Sequence, residues 1–169
     1  MGLDAGRLHI GKGSITFGSG AVLYAGEMVV RPKGVIVEAP DIEGCGAPLD
    51  IRVTNRTLEV YFKSRDLTAE SVAHASGIAS ARIASGINNL KNVTPLASDT
   101  SVDTGSAAIA LTRDDGKQCR WYIPKAAWLP TNEDIPIGQG KFFSAGNVLK
   151  SIDDGTGSGI PYRFEESTV

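Results

Sequence analysis

The chain has 169 residues and a mass of 17.7 kDa, enough for one domain whose core buries roughly 70% of the extended chain's surface and too short for two. With 41% hydrophobic residues, 21% charged residues and a mean hydropathy of -0.05, its composition is far from the disordered and membrane classes. Seventeen Lys and Arg against nineteen Asp and Glu leave a formal charge of -2, which argues against a protein that grips nucleic-acid phosphate through clustered cations.

Cys45 and Cys119 are too far apart for a C-x-x-C signature, and His9 and His74 leave little for metal chemistry, so neither metal nor cofactor is expected. The opening Met1-Gly2-Leu3-Asp4 has no apolar signal region, and no stretch approaches the ~18 apolar residues of a membrane helix. A cytosolic chain with two reduced thiols is expected.

Glycines and prolines spread along the length cut the chain into short apolar segments, the punctuation of a β protein. Leu8–Ile10 and Ser14–Phe17 open it, the second alternating hydroxyl and apolar side chains. Val22, Tyr24, Met28 and Val30 fall on even positions around Gly26, a strand with a bulge or bend, after which Pro32 and Gly34 are expected to turn the chain. Strands resume at Val35–Glu38 and at Leu49–Val53. The apolar phase then changes from odd (Leu49, Ile51, Val53) to even (Leu58, Val60, Phe62), so Asn55-Arg56-Thr57 must supply either a bulge or a hairpin turn.

A single helix is predicted over 68–77, with Thr68 as N-cap, Leu67 and Val72 as a hydrophobic staple, Glu70 in the first turn and Gly77 as the stop. Its small apolar residues suit a helix lying flat on a sheet. Residues 80–104 read as a long connection with one strand at most. Ala107–Thr112 and Gln118–Ile123 flank Asp114-Asp115-Gly116-Lys117, a strong hairpin signal. Further strands follow through Trp128 and Phe143. Residues 153–159 form a glycine-rich tip, and Ile160–Phe164 is the last strand, with Glu165 and Glu166 solvated.

Catalytic constellations are poor. Gly6-Arg7-Leu8-His9-Ile10-Gly11-Lys12-Gly13 begins like a phosphate-binding loop, but glycine stands where the magnesium-binding hydroxyl belongs and a strand follows instead of a helix. His74 has no acid partner nearby in sequence, and its simplest role is structural. Asp114-Asp115 and Asp153-Asp154 occupy turns, where Asp serves the backbone. The Asn55 and Asn92 sequons have no consequence without secretion. One charge feature stands out: Glu38, Asp41, Glu43 and Asp50 lie in a thirteen-residue span without Lys or Arg. It is either a solvated loop or an acidic lining that repels phosphate.

The order of elements resembles the tail tube (major tail) proteins of long-tailed bacteriophages. The resemblance is carried by Gly11-Lys12-Gly13-Ser14-Ile15-Thr16-Phe17, by the run from Val35 through Leu49–Val53 to Phe62 with the Thr68 helix, and by Asp115-Gly116-Lys117 to Trp121-Tyr122-Ile123-Pro124-Lys125-Ala126-Ala127. It implies a single mainly β domain, a β-sandwich or barrel-like tail tube fold with one flanking helix, a flexible N-terminal arm and extended loops. It also implies a non-catalytic virion protein, assembled in the host cytoplasm, whose hexameric rings stack into a tube that conducts double-stranded DNA. Partners so implied are further copies of itself, a tape-measure protein, a tail terminator and distal tail proteins, with no membrane and no cofactor.

On that reading Glu38, Asp41, Glu43 and Asp50 face the lumen, and Trp121 and Trp128 serve a subunit interface or the core. Alternatives are a head decoration or head-to-tail joining subunit, or a carbohydrate-binding β-sandwich stacking sugars on Trp121, Tyr122 or Trp128.

Overall fold

The structure is a computed structural model that describes residues 13–18, 21–39, 50–64, 68–86, 88, 90–112, 116–136 and 145–167, with the backbone alone at 21–27, 39 and 50. Nine strands and one short α-helix occur among them: β1 (Gly13–Phe17), β2 (Ala21–Ala39), β3 (Asp50–Ser64), α1 (Ala69–Ala75), β4 (Ile83–Ser85), β5 (Lys91–Val93), β6 (Thr104–Thr112), β7 (Gln118–Pro130), β8 (Ala145–Ser151) and β9 (Arg163–Glu166). The fold is mainly β, as the punctuation of the sequence predicts.

Seven strands form one antiparallel sheet in the order β6-β1-β2-β3-β8-β7-β9. It curls until β6 pairs with β7 as well as with β1, so six strands close into a barrel-like ring. Inside lie Ile15, Leu58, Val60, Phe62, Ile109, Ile123, Trp128 and Leu149, all buried. Each sits on the inward side of an alternating strand, the arrangement that period-two patterning dictates.

β2 and β3 are much longer than their neighbours. β1 pairs with β2 only as far as Tyr24, and β8 pairs with β3 only from Glu59 onward. Beyond those limits β2 and β3 continue as a two-stranded ribbon, paired from Lys33 with Thr57 to Ala39 with Asp50. Residues 50–57, at about 3.3 Å each, carry it on the order of 26 Å past the barrel.

Pro32 and Gly34 therefore do not turn the chain; β2 runs straight through both. The backbone N–H of buried Leu58, the register partner of Pro32, points toward β8 and donates to Ser151 Oγ at 2.8 Å. In an antiparallel ladder both polar groups of a residue point the same way, so Pro32 and Leu58 form a non-hydrogen-bonded pair. The nitrogen of Pro32 then faces an edge that has already lost β1, where proline removes no ladder bond. Gly34 admits the side chain of Val53, whose Cγ1 would lie 2.5 Å from an added Cβ.

The phase change in β3 is a bulge, not a turn. Between the pairs Lys33–Thr57 and Val35–Thr54, one β2 residue, Gly34, opposes two β3 residues, Asn55 and Arg56, and Asn55 takes a φ of 50°, a left-handed conformation that Asn tolerates. The extra residue returns Ile51 and Val53 to the face that Leu58, Val60 and Phe62 occupy. A second register shift, between Ala25 and Met28, falls where a bulge or bend is expected around Gly26.

α1 begins as predicted, with Thr68 Oγ1 accepting from Ser71 N at 3.1 Å. It ends in a Schellman motif: Ile78 N donates to Ala73 O and Gly77 N to His74 O, with Gly77 at φ 68°. Its buried residues, Ser71, Ala73 and Ala75, lie against the β7–β8 side of the barrel. The proposed staple residue Leu67 lies outside the described residues.

The 80–104 connection holds a short 3-10 turn and two three-residue strands, β4 and β5, paired as a separate hairpin. That is one strand more than expected. The β6–β7 hairpin is where the D-G signal places it, with Gly116 at φ 80°. β9 lies further along than Ile160–Phe164, and Glu165 is not merely solvated: it binds Arg120 and Arg163.

Candidate assembly surface

The barrel's closure leaves open strand edges in two described places, the ribbon and β9, which pairs with β7 alone. Every described side chain of the ribbon from Arg31 to Glu38 and from Ile51 to Arg56 is exposed. Directly opposed residues share a face, so Ile36 with Val53 and Glu38 with Ile51 lie on the side that continues the barrel interior. Ile36 is 65% exposed, Ile51 58% and Val53 45%. The other face carries Val35 with Thr54 and Val37 with Arg52, and nearer the barrel Arg31 with Glu59 and Lys33 with Thr57. Such an apolar ribbon with both edges open is a template for pairing with another chain.

At its root the charges are organised. Glu59 sits cross-strand from Arg31, is bound by Lys33 and lies 3.8 Å from Lys150. The Lys33 hydrogen bond holds its carboxyl below the usual range. Tyr61 Oη donates to Glu133 Oε2 at 2.7 Å on the same outer wall.

Of the four acidic residues singled out in the sequence, Glu38 is exposed on the ribbon's inner-face continuation beside Ile36 and Ile51. Asp50 pairs through its backbone with Ala39. Asp41 and Glu43 lie outside the described residues. Trp128 is only 2% exposed and belongs to the core of the single chain. It meets Phe17 and Phe62 edge-on and donates from Nε1 to Asn147 Oδ1 at 3.1 Å. It is therefore not available on the surface of the folded chain as an interface residue or a sugar platform. Trp121 is half-buried against Tyr162 and Phe164 at the open end of β7 and β9, and Phe164 is half exposed.

His74 is a half-buried residue with a carboxylate partner. Its ring stacks on Trp128 at 3.9 Å and donates from Nε2 to Asp103 Oδ2 at 2.9 Å. Asp103 also accepts from Ser80 N and Ser80 Oγ. Because the serine bonds the carboxylate and not the imidazole, this is not a nucleophile–base–acid relay. It ties α1 to the following connection. The sequence gives no sign of this partner, 29 residues away.

Asp153 and Asp154 accept from Gly155 N and Thr156 N, each at 2.9 Å, the backbone role their turn position predicts. The segment they belong to forms one wall of an open groove of about 510 Å³ whose other wall is the β3 bulge, residues 55–57. The sequence reading missed this groove, because it is made by elements about a hundred residues apart. Cys119 is buried with a free thiol; Cys45, His9 and residues 113–115 lie outside the described residues. Among the described residues no cluster of three or more His, Cys, Asp or Glu could hold a metal.

No protein-family profile matches the sequence, and no curated protein matches it. Solved structures do. A chain of the PVC sheath-tube complex, an extracellular contractile injection system in its extended state, superposes with a TM-score of 0.57 at 11% identity, over 95% of this chain and 93% of that one. A chain of the anti-feeding prophage (AFP) baseplate aligns at 10% identity over 98% and 97%, with a TM-score of 0.41. At such low identity the first match establishes the fold: this chain is similar over nearly its whole length to a component of a contractile sheath-tube assembly.

Proposed function

We propose that this protein is the tube subunit of a tail-like particle, a non-catalytic structural protein whose copies, six to a ring, stack into a tube. The observation that carries this reading is the β2–β3 ribbon. A closed barrel has no need of it, and its exposed Ile36, Ile51 and Val53 gain only when another copy covers them. The shared fold with a sheath-tube component supports the same class.

On this reading the tube conducts double-stranded DNA, and Glu38, Asp41, Glu43 and Asp50 contribute carboxylates to its lumen. The pairing of many described cations with carboxylates is compatible with such passage. Lys33, Lys91, Lys150, Arg82, Arg120 and Arg163 are each held by a carboxylate, so these cations are already engaged and attract passing phosphate weakly. Further partners are a tape-measure protein, a terminator and distal tail proteins, within a virion assembled in the host cytoplasm.

Electron microscopy of the concentrated, purified protein tests the class. Rings or stacked tubes are expected. A protein that stays monomeric when supplied with a pre-formed tail tip, or that forms isolated rings that do not stack, identifies a different structural role such as head decoration or joining.

A further inference from the structure

We propose that the gap between β3 and β9 is a slot that the chain closes on itself: the ribbon swings at its root and β3 zips onto β9, withdrawing two open edges until a second copy claims them. The closure rests on this chain's geometry; its consequence for assembly rests on the tube-subunit reading.

β9 takes up the path of β8 along β7, with the intervening residues looped out. β3, whose Leu58 N–H still reaches Ser151 at the end of β8, runs on past that loop without a partner on this side. The groove of about 510 Å³ opens where the loop leaves β8. β3 is antiparallel to β8, and β8 and β9 are both antiparallel to β7, so β3 and β9 already have the relative direction an antiparallel ladder needs.

Their registers also match. Leu58, Ser151 and Ala126 share one rung, bounded by Pro32 on β2 and Gly105 on β6. Three residues further along β2, Val35 pairs with Thr54; three further along β6, Ala108 pairs with Tyr122 and so lies level with Arg163. The count agrees because β3 and β7 each carry one extra residue in this interval, β3 opposite Gly34 and β7 between Ile123 and Ala126. Closure therefore sets Thr54 opposite Arg163, Val53 opposite Phe164 and Arg52 opposite Glu165. Val53 and Phe164, 45% and 50% exposed, both belong to the inner face, where Phe164 already meets Trp121. On the outer face Arg52 joins the carboxylate that Arg120 and Arg163 bind, so apolar meets apolar and unlike charges meet. The hinge is the ribbon root, where Gly34 and the left-handed Asn55 face each other beyond the last rung that β8 supports. Closure extends the rim and leaves the barrel core unchanged. A second copy that binds the freed edges draws the chain to the open form.

The test places a disulfide on the outer face, in a Cys45→Ser background that keeps the buried Cys119. Thr54→Cys with Arg163→Cys puts thiols on opposed residues, and a bridge forms only where the Cα atoms come within about 4.4–6.8 Å. In dilute protein under mild oxidation an intramolecular bridge is expected, about tenfold or more faster than in a control with Val35→Cys and Arg163→Cys, whose ribbon thiol lies one strand, ~4.8 Å, further from β9. The bridged protein is expected to form no tubes and to recover on reduction. Arg52→Cys with Glu165→Cys, against Val37→Cys with Glu165→Cys, repeats the measurement two residues along and covers the case in which the first pair fails to fold. If neither pair bridges faster than its control, or bridges appear only as covalent dimers, the slot does not close and the tube reading stands. If a bridged protein assembles as well as its reduced form, closure does not govern assembly and the proposal falls. If the bridge forms but no reduced sample assembles even with a tail tip, closure stands and the tube reading falls.

Discussion

The ribbon is the feature on which the functional reading can be broken most directly, by replacing Ile36, Ile51 and Val53 together with threonine. Threonine keeps the β-branched shape that suits a strand, and all three positions are exposed, so each change alters the free chain's stability by about 0.5 kcal/mol or less. The effect on association is different. Fully covering an aliphatic side chain of this size is worth about 1.5–3 kcal/mol, so with 65%, 58% and 45% of the three still exposed, their burial between copies contributes about 2.5–5 kcal/mol in total. Threonine forfeits most of this and adds a hydroxyl that costs free energy to bury without a partner. At ~1.4 kcal/mol per tenfold, the concentration needed for assembly rises by roughly two to three and a half powers of ten. Sedimentation velocity across a concentration series, with electron microscopy of the same samples, reads that shift, and urea unfolding of the dilute protein supplies the control. A triple variant that assembles at the wild-type concentration refutes the argument. So does one whose monomer loses comparable stability, since these side chains would then be supporting the single chain.

Four further outcomes follow from individual contacts. Trp128→Ala removes a buried ring and strands Asn147 Oδ1, costing about 3–5 kcal/mol, enough to collapse the urea midpoint, whereas a surface tryptophan would lose little. Ser151→Ala leaves the buried Leu58 N–H without an acceptor at the point where the ribbon departs; about 1–3 kcal/mol is lost, and hydrogen exchange at Leu58 accelerates selectively. Gly77→Ala forces a left-handed alanine at φ 68° whose Cβ would lie 2.7 Å from Pro130 Cδ, so thermal unfolding shifts down by more than the ~1 kcal/mol that backbone strain alone costs. Asp99, bonded to the hydroxyl and backbone N–H of Ser101 and to Arg82 Nε at 2.6 Å, has its pKa lowered to about 2. Its stabilising contribution is whole above the ordinary carboxylate pKa and disappears as pH falls through about 2. The Ser101 amide resonance should therefore titrate near pH 2, and a midpoint at 3.8 would show that the clip does not hold.

The parts of the fold that were legible in the sequence are those set by neighbouring residues. Thr68 and Gly77 bound the helix because a side-chain cap and a left-handed stop are local chemistry. The Asn55 bulge showed itself as a change of apolar phase, since one extra residue reverses the face of everything beyond it. Pro32 and Gly34 misled for the opposite reason. Their turn-forming tendency is also local, but here a distant residue, Ser151, turns Leu58 away from β2 and makes the proline harmless. The same blindness hid the His74–Asp103 tie and the groove, both built from segments remote in sequence. Among the candidate site residues, Glu38 lies exposed on β2, whereas Trp128 is ambiguous from sequence: a strand's alternation tells that a side chain faces one side, and only the closed barrel tells which side is dry.

An exposed strand pair containing Val35, Ile36, Val37, Ile51 and Val53 would ordinarily invite indiscriminate edge-to-edge stacking. Two features of this ribbon oppose that outcome while leaving directed association possible. Flat stacking requires a regular ladder, and the ribbon's ladder is broken at its root, between Lys33 and Val35, so the strands twist away from the geometry a copy of themselves could extend. Charges also interrupt both faces: Glu38 sits beside Ile36 and Ile51, and Arg52 is paired with Val37. In-register stacking would set each of these against its own kind, a repulsion that disfavours it.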